Sequence, residues 1–489
     1  MIADELERLV LSCLHHAPTT DQRRAVGAFC RFMTDVHPSV PPAFILRGSA
    51  GTGKTTLAAA IVRALLELKQ KLMLLAPTGR AAKVLALTAG HPAYTIHRRI
   101  YRQRTAADLS SFNLNDNLYT DTLFIVDEAS MISSGTAATA GNYGPSRPTF
   151  GSGDLLDDLV NYVYSGTRCR LMLIGDAAQL PPVGEPLSPA LSASTLSAYG
   201  ITVYEADINE VLRQASASGI LYNATCLRCS VSGNSPTTLP KITVPFTDIT
   251  LVPGDELIEQ LASSYSHAGL DDTIVITRSN KRANIYNQGI RRTILDREDE
   301  LCRGDQMMIV KNNYHWTQLD KETAQAIPFL ANGDHCVVQR VRNKRDMHGF
   351  HFADVTLTFP DYDDRELTAT VILDTLTTDA PALTREQQQQ LFDCVMADYA
   401  DIPLKTERMK QVRQDPFYNA LQMKFGYAVT CHKAQGGQWR HVYIDQGYMT
   451  DDMVGDDHLR WLYTAFTRAT EHLFLVNWPQ KQIETNYSY

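Results

Sequence analysis

A glycine-rich segment with a lysine and a threonine is the strongest chemical signal in the chain. Residues 48–55 read Gly-Ser-Ala-Gly-Thr-Gly-Lys-Thr, which matches the phosphate-binding pattern G-x-x-x-x-G-K-[ST]. An apolar run precedes it and a helical pattern follows it. Glycines let backbone N–H groups face phosphates, and a helix N-terminus adds partial positive charge. We therefore predict that Lys54 reaches the β- and γ-phosphates of a nucleotide and that Thr55 binds Mg²⁺.

Another apolar run covers residues 123–126, and two adjacent acidic residues follow it. They are Asp127 and Glu128. One carboxylate can hold a metal ion while its neighbour activates water, which suits phosphate hydrolysis. Paired acids after an apolar run are also common by chance, but their combination with the phosphate loop favours a functional reading.

A polar amide and two arginines complete the candidate hydrolytic set. Gln179 follows the apolar run over residues 171–174, where an amide can sense the γ-phosphate. Arginine stabilises charge on a transferring phosphoryl group, and Arg213 and Arg468 are the candidates. Taken alone, each arginine fits a surface salt bridge better.

These residues need a sheet to position them, and the apolar runs predict one. Each run is followed by a turn and a helical pattern, which indicates parallel strands covered on both faces. Ligands bind at the C-terminal ends of such strands. The predicted strands are 43–47, 71–76, 123–126 and 171–174 in a first set, and 273–276, 427–430, 441–444 and 472–476 in a second. The predicted helices are 55–68, 80–87 and 460–470.

Between the pieces of the second set lies a stretch of different character. Residues 331–375 show short alternating strands, which predict a small inserted β unit, and residues 376–424 look helical and polar. Residues 133–153 are rich in Gly, Ser, Thr and Pro and predict a surface loop.

Composition limits the class of protein. The 489 residues suggest about three domains. A hydrophobic content of 44% excludes a disordered chain or a collagen. Nine unpatterned cysteines indicate a reducing, cytoplasmic setting, and Cys226 and Cys229 are read as ordinary cysteines rather than a zinc or redox pair. We expect no signal peptide and no membrane span. The net charge of −8 still permits a local basic groove.

The motifs form an ordered series that resembles superfamily 1 helicases of the RecD-like branch, which includes the Dda and Pif1 types. The series includes Thr20-Asp21-Gln22, the phosphate loop, Pro77-Thr78-Gly79, Thr95-Ile96-His97, Asp127-Glu128, Gln179-Leu180-Pro181, Leu212-Arg213-Gln214, His432-Lys433-Ala434-Gln435-Gly436 and Thr467-Arg468. The resemblance implies an α/β fold of two tandem RecA-like P-loop domains with a small inserted SH3-like β subdomain.

The implied domain boundaries divide the chain into four parts. The resemblance gives a first RecA-like domain over 1–205 with a pin hairpin at 101–120. The second RecA-like domain then comprises 206–330 and 416–489, and the SH3-like subdomain occupies 331–415.

The resemblance also implies ATP and Mg²⁺ in the cleft between the RecA-like domains. Lys54, Glu128, Gln179, Arg213 and Arg468 would be catalytic, with Glu128 the general base and the arginines reaching across the cleft. Thr55 and Asp127 would hold the metal. The implied nucleotide contacts are Gln22, Gly48, Ala50, Gly51, Thr52, Gly53, Lys54, Thr55, Thr56, Gln435 and Gly436.

Single-stranded DNA and forked duplex DNA are the implied partners of a monomer. The implied strand contacts are Pro77, Thr78, Thr95, His97, Phe112, Asn280, Thr430, His432 and Lys433. Phe112 would be a wedge in the pin, although an aromatic side chain in a short strand is as readily simple packing. Further candidate cations for the groove are Arg98, Arg99, Arg102, Arg104, Lys281, Arg282 and Arg440.

The resulting hypothesis is an ATP-dependent 5′→3′ DNA helicase, with the direction taken from the resemblance alone. An ATP-driven strand translocase or an RNA helicase is the nearest alternative. A silent scaffold is disfavoured by the complete hydrolytic set, and a P-loop kinase by the second α/β domain.

Overall fold

The computed structural model describes residues 2–14, 16–35, 40–105, 108–135, 149–211, 218–231, 238–327 and 329–485. The side chains of residues 103–105, 108–112, 149–150, 321 and 325–326 lie outside this description.

The first domain is an α/β unit built on six strands. Its elements are α1 (Ile2–Ser12), α2 (Thr20–Thr34), β1 (Pro42–Gly48), α3 (Lys54–Glu67), β2 (Lys71–Ala76), α4 (Gly79–Ala89), β3 (Ala93–Thr95), α5 (Ile96–Ile100), β4 (Tyr101–Thr105), β5 (Asp108–Leu114), β6 (Thr122–Val126), β7 (Thr149–Phe150), α6 (Leu155–Ser165), β8 (Arg170–Gly175), α7 (Ala193–Ser197) and β9 (Thr202–Ile208). The strand order is β3-β2-β6-β8-β1-β9, and every pairing is parallel.

Apolar residues bury both faces of this sheet. Phe44 and Leu46 of β1 pack with α2 and α3, whereas Ala43 and Ile45 face a second cluster with α6. In a parallel sheet covered by helices on both faces, successive side chains of a strand pack alternately on the two helical layers, so all of them are apolar. The predicted first-domain strands are therefore confirmed.

A small three-stranded sheet of β4, β5 and β7, called the pin sheet here, begins directly after α5. Strands β4 and β5 form an antiparallel hairpin, as predicted for residues 101–120. Strand β7 then pairs with β5 in parallel, through Ser111 with Thr149 and Phe112 with Phe150. The prediction of a plain loop over 133–153 is therefore wrong at β7, because its pairing partner lies far away in the sequence.

The rest of the chain forms a second α/β domain and a barrel. Its elements are α8 (Gly219–Val231), β10 (Ile242–Thr243), β11 (Ile249–Val252), α9 (Leu257–His267), β12 (Thr273–Thr277), α10 (Asn280–Gly289), β13 (Gln306–Ile309), α11 (Lys321–Ala326), β14 (His335–Met347), β15 (Phe350–Phe359), β16 (Arg365–Ile372), α12 (Arg385–Asp398), α13 (Lys405–Gln414), β17 (Leu421–Phe425), β18 (Ala428–Thr430), α14 (Cys431–Ala434), β19 (Trp439–Asp445), α15 (Asp456–Phe466), β20 (Ala469–Val476) and β21 (Ile483–Glu484).

The second sheet has the same character as the first. Its order is β11-β20-β19-β12-β18, with all pairs parallel. The molecule thus has two tandem RecA-like domains, as predicted. Helix α15 ends at Phe466, so the predicted helix over 460–470 runs too far, and Arg468 lies just beyond its end.

The inserted β unit is a closed five-stranded barrel, β13 to β17. The barrel spans more of the chain than the predicted range 331–415, because β13 and β17 lie outside that range and pair with each other to close the barrel. The helical prediction for 376–424 fails at β17 for a physical reason. Its polar side chains are buried beneath the linking segment, where Gln422 Oε1 accepts from the Leu383 N–H at 3.0 Å.

The first domain also extends past its predicted end. Strand β9 pairs with β1 from Thr202 to Ile208, so a boundary at residue 205 would cut a sheet strand.

Candidate nucleotide and nucleic-acid site

The phosphate loop lies between β1 and α3. Gly51 and Gly53 adopt φ values of 75° and 78°, a backbone region that favours glycine. A Cβ on Gly48 would lie 2.5 Å from Ile208 Cγ1, so that glycine is required by close packing. Lys54 starts α3, and its Nζ donates to the Ser49 carbonyl at 3.0 Å. These features fit a phosphate-binding loop.

The hydroxyls predicted near the metal and phosphates, Thr55 and Thr56, lie in the first turn of α3. Gln22 lies behind the loop and is fully buried, with its Nε2 donating to the Thr52 carbonyl at 2.9 Å. Its Oε1 accepts from the Thr19 N–H at 3.1 Å in a capping box that begins α2. The observed contacts therefore tie Gln22 to the loop, and its contact with adenine stays a prediction.

The paired acids stand at the end of β6. The Glu128 N–H donates to Asp127 Oδ1 at 2.8 Å. Loss of hydration and the neighbouring Glu128 charge raise the pKa of Asp127, and the Lys54 charge opposes them. Glu128 has φ = 51°, an unfavourable value for a non-glycine residue. Strained backbone of this kind clusters at functional sites, where surrounding structure holds it.

The second domain reaches the phosphate loop through a tyrosine on α15. The Tyr463 hydroxyl accepts from the Ala50 N–H at 2.9 Å and donates to Asp176 Oδ2 at 2.5 Å. Asp176 Oδ2 also lies 3.7 Å from Lys54 Nζ. Burial and the charge of Asp176 raise the pKa of Tyr463 well above its usual value. One second-domain side chain therefore touches the loop and the carboxylate beside its lysine.

The segment after Asp176 is embedded in the second domain. The Leu180 N–H donates to Thr464 Oγ1 at 2.9 Å, and the Leu180 carbonyl accepts from Gln435 Nε2 at 2.6 Å. Gln179 is buried nearby, and its Oε1 has no hydrogen-bond partner within the described residues. Gln179 and Gln435 thus lie at the same domain boundary. Gly436 follows with φ = 75°, and a Cβ there would lie 3.3 Å from Thr78 Oγ1.

The two predicted arginine fingers have different outcomes. Arg213 lies outside the described residues. Arg468 is buried, and its guanidinium donates to the Thr464 and Gly437 carbonyls at 3.0 and 3.1 Å, within its own domain. A cross-cleft role for Arg468 therefore stays a prediction that requires these bonds to be exchanged.

A different arginine crosses the boundary, and sequence reasoning missed it. Arg460 on α15 donates through Nη1 to the carbonyls of Ala177 and Gln179. Arg460, Tyr463 and Thr464 recur at helical spacing in α15, which is buried from His458 to Phe466. Such a polar stripe in a buried helix was the available signal, since buried polar groups require partners.

The predicted strand contacts of the first domain lie around α4 and α5. Pro77 precedes α4, and Thr78 caps it by accepting from the Ala81 N–H at 3.2 Å. Thr95 caps α5 in the same way. Burial lowers the pKa of His97 to about 4, so this side chain is neutral at neutral pH. Its ring centroid lies 6.1 Å from that of Phe329, in the connection between β13 and β14 of the barrel.

The second-domain contacts follow the ends of β12 and β18. Asn280 begins α10, Thr430 ends β18, and His432 lies in the exposed first turn of α14. Lys433 Nζ bonds Asn332 Oδ1, and burial lowers the pKa of Lys433 to about 8. These four residues share one edge of the second sheet, where its parallel strands end.

Several other candidate cations are engaged in pairs. Arg102 bonds Asp116, Arg282 bonds Asp445 and Arg440 bonds Glu471. Arg99 lies over the rings of Tyr94 and Tyr119. The side chains of Phe112 and Arg104 lie outside the described residues.

The domains also meet beside α4. Arg80 stacks on Trp439 with its guanidinium carbon 4.2 Å from the ring centroid, and its Nη2 donates to the Gln438 carbonyl at 2.7 Å. Lys83 Nζ donates to the carbonyl of Pro360 in the barrel at 2.6 Å.

Within the described ranges, no cluster of three or more His, Cys, Asp or Glu side chains could hold a metal ion. Cys226 and Cys229 are both exposed on α8. Over the same described ranges, no helix has the length and hydropathy to cross a bilayer.

Two known protein families match separate parts of this chain. Residues 19–143 match an AAA domain, and residues 425–476 match a UvrD-like helicase C-terminal domain. An ATP-dependent RecD2 DNA helicase of Deinococcus radiodurans is 32% identical over 185 residues, which are 37% of this chain and 21% of the relative. The chain thus matches about a fifth of that relative's length.

Two solved helicases align along nearly the whole chain. A Pif1 helicase from Bacteroides in complex with ADP-AlF3 and ssDNA aligns with a TM-score of 0.46 and 14% identity, covering 96% of this chain and 95% of its own. A Pif1 helicase from Candida albicans gives 0.43 and 14%, covering 96% and 97%.

The family matches and the curated relative confirm the resemblance. Over the matched residues, the chain is similar to a RecD-type DNA helicase.

Proposed function

We propose that this chain is an ATP-dependent DNA helicase that moves 5′→3′ along single-stranded DNA and unwinds forked duplex. ATP and Mg²⁺ would bind between the two RecA-like domains. Lys54 and the loop amides would hold the phosphates, and Thr55 and Asp127 would hold the metal ion. The bound metal ion would neutralise phosphate charge, and Glu128 would take a proton from the attacking water.

One observation carries this proposal above the others. The second domain touches the phosphate loop directly, through the Tyr463 hydroxyl on the Ala50 N–H. A phosphate bound at that amide must change this contact, so nucleotide occupancy and domain position are coupled. Such coupling is what a motor requires, because a ligand shifts an equilibrium only through different contacts in its two states.

The proposed strand path runs across the same pair of domains. Thr78 on the first domain lies against Gly436 on the second, one residue from Gln435, which bonds the segment beside Asp176. Changes at the nucleotide can therefore reach strand-binding residues through a short chain of contacts. Contacts to backbone and stacked bases would make binding depend on salt more than on sequence.

The direct test is ATP hydrolysis with and without single-stranded DNA. We expect DNA to stimulate turnover in the wild type and Lys54→Ala to abolish it, because the β- and γ-phosphates lose their cation. Lys71→Ala is the matched control, since Lys71 Nζ bonds Thr120 at the opposite end of the sheet. The measurement is phosphate release, with RNA as a parallel effector.

Full turnover by Lys54→Ala would contradict the proposal. Stimulation by RNA but not by DNA would favour the RNA-dependent alternative instead.

A further inference from the structure

An arginine of the second domain, Arg228 on α8, reaches the phosphate loop. Its Nη1 donates to Ser49 Oγ and, at 2.9 Å, to Asn209 Oδ1. Helix α8 also packs on the loop through Leu221, whose Cδ2 lies 3.0 Å from the position of a Cβ on Gly51. The fold therefore holds a guanidinium against the loop whose amides would face phosphate.

The start of α8 is fixed from outside the helix. Asp248 accepts from the Ser218 hydroxyl at 2.6 Å and from the Gly219 N–H at 2.9 Å. A capped start limits fraying of the helix and keeps its side chains in register. Arg228 is therefore presented by a positioned element rather than by a free loop.

Arg228 also lies close to the tyrosine at the domain boundary. Its positive charge lowers the pKa of Tyr463, against the larger upward effects of burial and Asp176. The Tyr463 hydroxyl is on the Ala50 N–H, and Lys54 Nζ is on the Ser49 carbonyl. Arg228, Lys54 and the Ala50 amide thus converge on one end of the loop.

The other described arginines of this boundary have their guanidinium groups engaged elsewhere. Arg468 donates to carbonyls of its own domain, and Arg460 donates to the Ala177 and Gln179 carbonyls. Arg228 contacts the Ser49 hydroxyl of the phosphate loop, a neutral partner that a phosphate oxygen can replace. Charge-assisted bonds from arginine to phosphate are stronger than bonds to neutral acceptors.

We propose that Arg228 binds the terminal phosphate of the nucleoside triphosphate and so links the second domain to the nucleotide. This inference rests on the proposed function, because it requires ATP at the phosphate loop. The guanidinium would exchange the Ser49 hydroxyl for phosphate oxygens. Since the contact spans two domains, it would favour the closed cleft with the triphosphate and be lost with the diphosphate.

The competing explanation is that the hydrogen bond between Arg228 and Ser49 only stabilises the fold. Selectivity between triphosphate and diphosphate separates this explanation from phosphate binding. The experiment measures equilibrium binding of fluorescent ADP and of a fluorescent, non-hydrolysable ATP analogue to the full chain. The variants are Arg228→Ala, Arg228→Lys and Ser49→Ala. Arg168→Ala is the matched control, because Arg168 pairs with Asp121 on the exposed surface before β8.

We expect Arg228→Ala to weaken binding of the triphosphate analogue about tenfold or more while ADP affinity changes less than about twofold. Arg228→Lys should fall between, since it keeps the charge without the planar fork. Ser49→Ala should not change the ratio of triphosphate to ADP affinity, because the phosphate loop binds both nucleotides and the substitution removes only the partner that Arg228 would exchange.

Three results would overturn the inference. Unchanged triphosphate affinity in Arg228→Ala would exclude the phosphate contact. Equal losses of affinity for ADP and the triphosphate, reproduced by Ser49→Ala, would indicate that the bond only stabilises the fold. Failure of the wild type to bind either nucleotide would contradict the proposed function itself, and this inference with it.

Discussion

Glu128 is held in left-handed backbone conformation at the end of a buried strand, beside a carboxyl whose pKa is raised. The fixed backbone of Glu128 limits where its carboxylate can reach. This suits a general base that must contact one water molecule. Its identity as an acid was readable from the sequence. Its backbone strain was not, because strain depends on the surrounding sheet.

Replacing this acid separates binding from hydrolysis. We expect Glu128→Gln to lower ATP turnover at least about a hundredfold, since general-base catalysis contributes about 10²–10⁴-fold. Nucleotide affinity should be kept, because the amide has the same shape. Asp121→Asn is the matched control, as Asp121 also has a positive φ, 52°, but lies at the opposite end of β6. Turnover by Glu128→Gln near the wild-type rate would contradict the base assignment.

Lys433 provides a residue-scale prediction in pH. Burial lowers its pKa to about 8, so it is charged at pH 7 and largely neutral at pH 9. The neutral form attracts no phosphate, and we expect affinity for single-stranded DNA to fall several-fold over this range. Lys433→Arg should flatten the profile, because arginine does not titrate there. The measurement is fluorescence anisotropy of a labelled oligonucleotide at constant ionic strength.

Lys281→Arg is the control for that profile, since Lys281 is exposed on α10. Parallel pH profiles for the wild type and Lys433→Arg would remove Lys433 from the strand-binding surface.

At the scale of elements, the local sequence pattern identified most strands of the first parallel sheet. It did not show which strands pair when their partners are distant in the sequence. Continuous apolar runs identified β1, β2, β6 and β8 almost to the residue, because a strand buried on both faces has a strong local signature. Strands β7 and β17 were missed. Both depend on partners distant in sequence, and β17 buries polar side chains that read as a solvated helix.

The contacts of α15 were likewise invisible in the motif order. No local pattern indicated that the Tyr463 hydroxyl would bridge the Ala50 amide and Asp176. That bridge joins positions more than 280 residues apart along the chain. Only the tertiary arrangement brings them together.

Removing this hydroxyl should loosen the two domains. We expect Tyr463→Phe to destabilise the folded chain by about 1–3 kcal/mol, because a buried donor to Asp176 is lost. The measurement is the thermal unfolding midpoint of the nucleotide-free protein. Tyr448→Phe is the control, because Tyr448 is 83% exposed. Equal midpoints for the two variants would mean that the bridge contributes nothing to stability.

At the scale of the whole molecule, two similar α/β domains enclose one candidate nucleotide site, and a barrel contacts the first domain beside α4. The net charge of −8 gives no overall attraction to nucleic acid. Under the proposed function, strand binding would therefore depend on local groups at the ends of β12 and β18 and around α4 and α5. The β4–β5 hairpin follows α5 directly in the first domain, and it would be the separating element under the proposed function.

The most direct test of the account is ATP-dependent unwinding of matched DNA duplexes that carry either a 5′ or a 3′ single-stranded tail. A 5′→3′ helicase should separate the 5′-tailed duplex alone, and this activity should be lost in Lys54→Ala and kept in Lys71→Ala. DNA-stimulated hydrolysis without strand separation, or separation only from the 3′ tail, would contradict it.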